Sequence, residues 1–365
     1  MRYFFLTLLF SIQAFLCAAQ ANVLYGERNL QRDIPAVFFD RDGNIYPDYF
    51  IADSSLAKSK ASLGNWYAEH PADFVKICSA YGCAISVYSD EALRILNDSI
   101  TASVKRVINA RSGVANSVTF MVHGYRKTFF SQNGDSPSPR DYSMLQATLN
   151  NFDSWRTNYV AVYWDGMYGT FSRNLRHNKE LIKLFVIARG SAANVGGGLR
   201  RLMAGLSFDT LNVITHSLGA EVACSALFDT SKFKSVTPAN KVVNICLVAP
   251  AVAGIDRFKF YLARNPPIDT AADNYRLAIV YNSKDFVLKK RVGIFGPGPY
   301  RYGNTTLGCN YHGAATKLRD YFSANYRNSE IYLLDLTGKA ACHHMSCYDA
   351  GDNFKPLVEF IKNIP

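Results

Sequence analysis

Ser217 stands within Leu211-Asn-Val-Ile-Thr-His-Ser-Leu-Gly-Ala220, where an apolar run meets Thr-His-Ser-Leu-Gly and continues into Ala220-Glu-Val-Ala-Cys-Ser-Ala-Leu227. A serine hydroxyl is a poor nucleophile at neutral pH. A chain that uses one must set it on a sharp strand-to-helix turn beside a base and backbone N–H donors, with small residues around it. Gly219 meets that need on one side, and Thr215 stands where the first glycine of the pattern usually sits. The plainer alternative is a strand–turn–helix connection in which Ser217 only caps the helix.

The partners that acyl-transfer chemistry requires occur in a definite order. Upstream, Ser117-Val-Thr-Phe-Met-Val-His-Gly-Tyr125 reads as a buried strand ending where a second oxyanion donor would be supplied. Downstream, Asn274-Tyr-Arg-Leu-Ala-Ile-Val-Tyr-Asn-Ser-Lys-Asp285 is an apolar strand with an acid just past its end. Ser329-Glu-Ile-Tyr-Leu-Leu-Asp-Leu336 is a further strand, followed by Cys342-His-His-Met345. The candidates are therefore Ser217, Asp285 and one of His343 and His344, in the order nucleophile, acid, histidine.

From about residue 115 onward the chain resembles an α/β-hydrolase of the serine esterase and lipase type. The resemblance rests on the elbow at Ser217, on His123-Gly124-Tyr125, on Val248-Ala-Pro250 and on the acid and histidine positions. It implies Ser217 as nucleophile, Asp285 as acid and His344 as base, with His343 the alternative. His344 is preferred because it leaves more loop to bend back over the serine. The backbone N–H groups of Leu218 and Tyr125 are implied as oxyanion donors. The activity implied is cleavage of carboxylic esters through an acyl-enzyme, with a small-molecule or lipid ester as substrate and neither cofactor nor metal. Asp256 and Asp335 compete with Asp285 for the acid's role.

The elements that must position these residues alternate regularly. Strands are expected near 117–122, 158–164, 209–215, 242–248, 276–283 and 330–336, with helical segments between them and a last helix near 353–363. Ser89 is placed to cap an amphipathic helix to about 108. This alternation implies an α/β fold with a doubly wound, mainly parallel sheet, whose site lies at the strands' carboxyl ends. The division expected is a leader at 1–21, an N-terminal extension at 22–110 containing a β-hairpin and the amphipathic helix, and a catalytic domain at 111–365. Residues 166–190 and 286–328, rich in aromatic side chains, are candidate pocket walls.

The first residues carry one positive charge, an apolar run broken by Gln13 and the small-residue site Ala19-Gln-Ala21, the pattern of a secretory signal peptide and not of a stable membrane span. Export to a periplasmic or extracellular space permits disulfides. Of 8 cysteines, Cys17 would leave with the leader and seven remain. Cys78 and Cys83 are spaced to close a small loop; Cys342 with Cys347, or either with Cys309, would clamp the histidine segment. Cys224 and Cys246 read as core thiols. The formal charge of +11 favours anionic surfaces, but Lys and Arg are scattered and no nucleic-acid module is present among them.

Two rival functions remain. Ala36-Val-Phe-Phe-Asp-Arg-Asp-Gly-Asn-Ile45 resembles the first motif of haloacid-dehalogenase-type phosphatases, with Asp40 as nucleophile, although a hairpin turning at Asp42-Gly43 explains the same residues. A catalytically inactive binding protein on a hydrolase scaffold is the other.

Overall fold

The computed structural model describes residues 34–47, 62–113, 115–125, 138–153, 155–164, 178–228, 242–254, 275–288, 307–325, 330–340 and 342–362. The expected leader, Asp256 and the aromatic residues of both candidate pocket walls near 167–171 and 295–302 lie outside the described residues.

Seven strands are described: β1 (Ala36–Phe39), β2 (Ser117–Val122), β3 (Asn158–Trp164), β4 (Thr210–His216), β5 (Val242–Val248), β6 (Tyr275–Tyr281) and β7 (Glu330–Asp335). They form one sheet in the order β1-β3-β2-β4-β5-β6-β7, and every neighbouring pair is parallel. A parallel sheet covered by helices buries both faces of its strands, so its central strands read as unbroken apolar runs. Val118, Phe120, Met121, Val122, Val213, Ile214, Ile245, Leu247, Ile279 and Val280 are all buried. One polar row crosses this apolar sheet. Asn244 Nδ2 donates to Asn212 Oδ1 at 2.8 Å, and Asn212 Nδ2 donates to Thr119 Oγ1 at 3.1 Å. Slipping β5, β4 or β2 by one residue would strand these buried groups against hydrocarbon, so the row sets the register that aligns the strand ends.

The helices that join and flank the strands are α1 (Leu63–Glu69), α2 (Pro71–Ala80), α3 (Asp90–Asn109), α4 (Ser138–Asn150), α5 (Asn178–Met203), α6 (Gly219–Phe228), α7 (Ala314–Asn325), α8 (Met345–Tyr348) and α9 (Lys355–Lys362). Ser89 caps α3 as its sequence requires, its Oγ accepting from the N–H of Ala92 at 3.1 Å. α6 is buried along its whole length and packs on α5, which in turn meets α3. No helix of the described residues is long and apolar enough to cross a membrane.

The N-terminal segment makes the expected turn at Asp42-Gly43, with the Tyr46 N–H donating to Phe38 O and the Asp40 N–H to Asn44 O, both at 2.9 Å, and it also joins the main sheet. β1 lies parallel to β3, from Ala36↔Ala161 to Phe39↔Trp164, and is the edge strand of the same sheet. The antiparallel arm of the turn is short, centred on the bridge Phe39↔Ile45. The reason for the pairing with β3 is local: Val37, Phe38 and Phe39 are consecutive and all buried, the pattern of a strand covered on both faces.

The cysteines also sort differently from one of the expected pairings. Cys342 and Cys347 form a disulfide with Cα atoms 5.7 Å apart. Cys78 and Cys83 stay thiols, and the Cys83 Sγ–H donates to Ser99 Oγ at 3.2 Å. Cys224, Cys246 and Cys309 are buried thiols.

Candidate functional site

The order of the sheet changes direction at β2: the chain runs from β2 outward to β3, then returns to place β4 on the other side of β2. Loops leaving two such neighbours diverge, and the crevice between them at the carboxyl ends is where this class of sheet holds its ligands. β2 leads into His123-Gly124-Tyr125 and β4 into Ser217, so the two motifs singled out in the sequence face each other across it.

Ser217 is held in the left-handed region, at φ 53°, a conformation that costs an L-residue energy and persists only where its surroundings over-determine it. Three backbone bonds do so. Ser217 N–H donates to Val248 O at 2.9 Å, while Ser217 O accepts from Ala251 N–H at 2.9 Å and Ala220 N–H at 3.2 Å. Two glycines allow the close approach. A Cβ on Gly219 would lie 2.6 Å from the carbonyl oxygens of Val122 and His123, and one on Gly124 would lie 2.7 Å from Ser217 Cβ. Thr215 fits the usual glycine position by donating its hydroxyl to Cys246 O on β5 at 3.4 Å. α6 begins immediately after this turn, so its N-terminal N–H groups and dipole face the serine.

Asp285 follows β6 in a tight turn, its N–H donating to Asn282 O at 3.0 Å. Its carboxylate is buried and fully engaged. Oδ1 accepts the N–H groups of Val287 at 2.9 Å and Leu288 at 3.1 Å, and Oδ2 accepts His343 Nδ1–H and the Tyr348 hydroxyl, both at 2.7 Å. Burial pushes this carboxyl upward, but the hydrogen bond and charge of His343, with the Tyr348 hydroxyl and the Leu288 N–H, outweigh it and hold the pKa below the ordinary aspartate value.

His343 completes the chain. Its Nδ1 faces a carboxylate, which only accepts, so Nδ1 carries the proton and Nε2 presents its lone pair to the Ser217 hydroxyl at 3.0 Å. His344, expected as the preferred base, is not there. It is exposed and is the N-cap residue of α8, with its side chain making no cap hydrogen bond. Adjacent residues in extended backbone point to opposite sides, so the segment turns one imidazole inward and the next outward. The supposed benefit of a longer reach does not apply, because the Cys342–Cys347 bridge closes this segment on itself and α8 packs on α4.

The two remaining site candidates sit at the serine. Leu218, buried, follows Ser217 directly, and its N–H makes no hydrogen bond among the described residues. Tyr125 is half-buried, its ring edge-on to Phe185 at 5.3 Å. The loop that carries it is braced by His123. His123 Nε2 accepts the N–H of Trp164 at 3.1 Å, so Nδ1 is the protonated nitrogen and donates to Gly124 O at 3.0 Å. Trp164 Nε1–H returns a bond to His123 O at 2.9 Å, and the two rings stack.

Tyr348 and His216 also touch the site without having been singled out for it. The His216 Nε2–H donates to the backbone carbonyl of His343 at 2.7 Å. Neither residue carries a sequence signal beyond its nearness to a motif, since a tyrosine after a cysteine and a histidine before a serine are equally at home in ordinary packing.

Asp335, a competitor for the acid's role, is exposed at the end of β7 and accepts the Thr337 N–H at 2.8 Å, closing its own turn. Asp40 lies at the end of β1, on the edge of the sheet. Its carboxylate accepts from Asp42 N, Asn44 N, Asn44 Nδ2 and Leu63 N at 2.7–2.9 Å, which occupies the lone pairs a nucleophile would need. Burial pushes this carboxyl up to about 7 against the pull of those bonds.

A strained serine, an imidazole and a buried carboxylate joined by two hydrogen bonds can move a proton from a hydroxyl to a base and stabilise the charge that results. No protein-family model matches the chain, and no curated protein sequence matches it. Among solved structures the chain is similar to "The crystal structure of the gene lin2722 products from Listeria innocua", at 9% identity and a TM-score of 0.38, over 68% of this chain and 94% of that one. The all-parallel seven-stranded sheet, its strand order and its flanking helices make this an α/β fold consistent with the α/β-hydrolase type.

Proposed function

We propose that this chain is a serine hydrolase that cleaves carboxylic esters through an acyl-enzyme on Ser217. The observation that carries the reading is the continuous chain Ser217 Oγ, His343 Nε2, His343 Nδ1, Asp285 Oδ2, with links of 3.0 Å and 2.7 Å. As Ser217 Oγ attacks the ester carbonyl carbon, its proton passes to His343 Nε2 and the carbonyl oxygen becomes an oxyanion. Asp285 holds the imidazole and stabilises its cation. The Leu218 N–H, at the start of α6, and the Tyr125 N–H are the donors for the oxyanion. Collapse breaks the bond to the alcohol, which leaves with the proton from His343. Water, deprotonated by the same imidazole, then releases the acid and restores the serine.

The Cys342–Cys347 disulfide beside the base fits the exported, periplasmic or extracellular location that the leader suggests. The test is direct. The protein is treated with a fluorophosphonate and assayed on p-nitrophenyl esters of graded chain length, beside Ser217→Ala. Labelling at Ser217, with kcat lost on the order of 10³-fold or more in the variant, is expected. Turnover that survives in Ser217→Ala removes the reading, and a protein that is folded, unlabelled and inactive is the inactive binding scaffold instead.

A further inference from the structure

The base is fastened to the same strand that carries the nucleophile. His216 is the last residue of β4 and Ser217 follows it. His216 Nε2 lies 2.7 Å from the carbonyl oxygen of His343, and His343 Nε2 lies 3.0 Å from Ser217 Oγ. Two consecutive residues therefore grip one: Ser217 meets the imidazole, and His216 meets the backbone that bears it. The rings of His216 and His343 are tilted by 43° at a centroid distance of 5.1 Å, so no direct ring–ring hydrogen bond is implied.

We propose that His216 is a positioning residue for His343. A carbonyl oxygen only accepts, which makes His216 Nε2 the donor. With its peptide carbonyl held, the plane after His343 cannot rotate without losing a partly buried bond, and the swing of the imidazole is limited to its own side-chain torsions. The register of the bond matters because its donor sits one peptide away from Ser217, whose own backbone is fixed at φ 53° by the turn. Any drift of the His343 segment away from the nucleophile stretches the His216 bond as well as the bond to Ser217. The segment is also held by the Cys342–Cys347 bridge, by Tyr348 through Asp285 and by the packing of α8 on α4. His216 adds a hydrogen bond from the last residue of β4 to the backbone of the base itself.

This inference rests on the serine hydrolase reading, and its test separates the two. The variants are His216→Leu, which removes the donor; His216→Asn, whose amide is too short to reach; and His216→Gln, whose Nε2 falls near the place of the imidazole donor. Each is titrated with a fluorophosphonate to count working serines, and kcat and KM on a p-nitrophenyl ester are expressed per titrated site. A positioning role predicts that Leu and Asn lower kcat per site by ~10-fold or more with KM within about twofold, since a small misplacement of a base is costly in rate. Gln should restore most of the loss.

A purely structural role would lower melting temperature and the number of titrated sites while leaving kcat per site alone. That result overturns the proposal, as does equal loss in all three variants or failure of all three to fold. If the wild-type protein itself takes no label, the serine hydrolase reading fails first; if it is labelled and His216→Leu turns over at the wild-type rate, only the positioning role fails.

Discussion

Tyr348 and His343 donate to the same oxygen, Asp285 Oδ2, each at 2.7 Å, so the acid that orients the base is itself oriented by a buried phenol. The pairing shows in the tyrosine as well. Burial, and then the Asp285 charge, push its pKa far above the ordinary value, which keeps the hydroxyl protonated and available as a donor.

Tyr348→Phe removes that donor without opening a large cavity. A hydrogen bond to a charged group is worth ~1.5–3 kcal/mol, and the expected cost is a kcat lower by roughly 10-fold with the fold retained. The sign of the pH effect follows from Asp285, whose carboxyl is held low in the fold. Its stabilisation is complete above the ordinary aspartate value and disappears as pH falls through the lowered one. Loss of the Tyr348 hydroxyl raises the folded value, so the acid limb of a melting-temperature profile should move to higher pH. An unchanged limb would mean that this bond contributes nothing to the charge state of Asp285.

The two histidines should behave asymmetrically. His343→Ala removes the group at Ser217 and is expected to lower kcat on the order of 10³-fold or more, whereas His344→Ala, at an exposed cap position, should keep most of the activity. Steady-state assay of both variants decides the matter, and a dead His344→Ala enzyme with an active His343→Ala one would require the loop to rearrange.

Gly219→Ala tests the elbow's packing. The added methyl would lie 2.6 Å from two carbonyl oxygens of the β2 end, which are backbone atoms with no freedom to swing away. The expected result is a destabilisation of ~1–3 kcal/mol or more, read from urea unfolding, together with loss of fluorophosphonate labelling as Ser217 is displaced.

Asp349, next to Tyr348, contributes a pH dependence of the opposite sign to that of Asp285. It is buried, and its Oδ2 has no hydrogen-bond partner among the described residues. Burial, with the charge of Asp141 adding to it, pushes its pKa from 3.8 up to about 6. The fold therefore favours the neutral acid: its contribution is complete below 3.8 and is lost as pH rises through about 6. Asp349→Asn should leave stability near pH 4 little changed and raise it above pH 6 by ~2–3 kcal/mol, less whatever the buried amide costs. The measurement is urea unfolding at both pH values, and equal effects at both would show that Asp349 does not titrate with folding.

Most of the scaffold was legible in the chain because its signals are local. Apolar runs of six or seven residues mark strands buried on both faces, and the runs expected at 117–122, 158–164 and 242–248 match the strands with the same bounds. The turn at Ser217 is equally local, since Gly219 and the small residues of α6 are the ones that let a strand and a helix meet at close range. Asp285 was identifiable from its place just past a strand end, where chain direction alone delivers a side chain to the crevice.

What tertiary structure alone decided are the choices between neighbours and the partners that come from far along the chain. His343 and His344 have the same chemistry and differ by one residue, so only the path of the loop, fixed by Cys342–Cys347 and α8, determines which imidazole turns inward. The ties from Tyr348 to Asp285 and from His216 to His343 span 63 and 127 residues, and β1 joins β3 across more than a hundred. A sequence encodes such contacts only through the burial that the whole core enforces, because a lone tyrosine, histidine or short apolar run fits many surroundings until the sheet has been assembled around it.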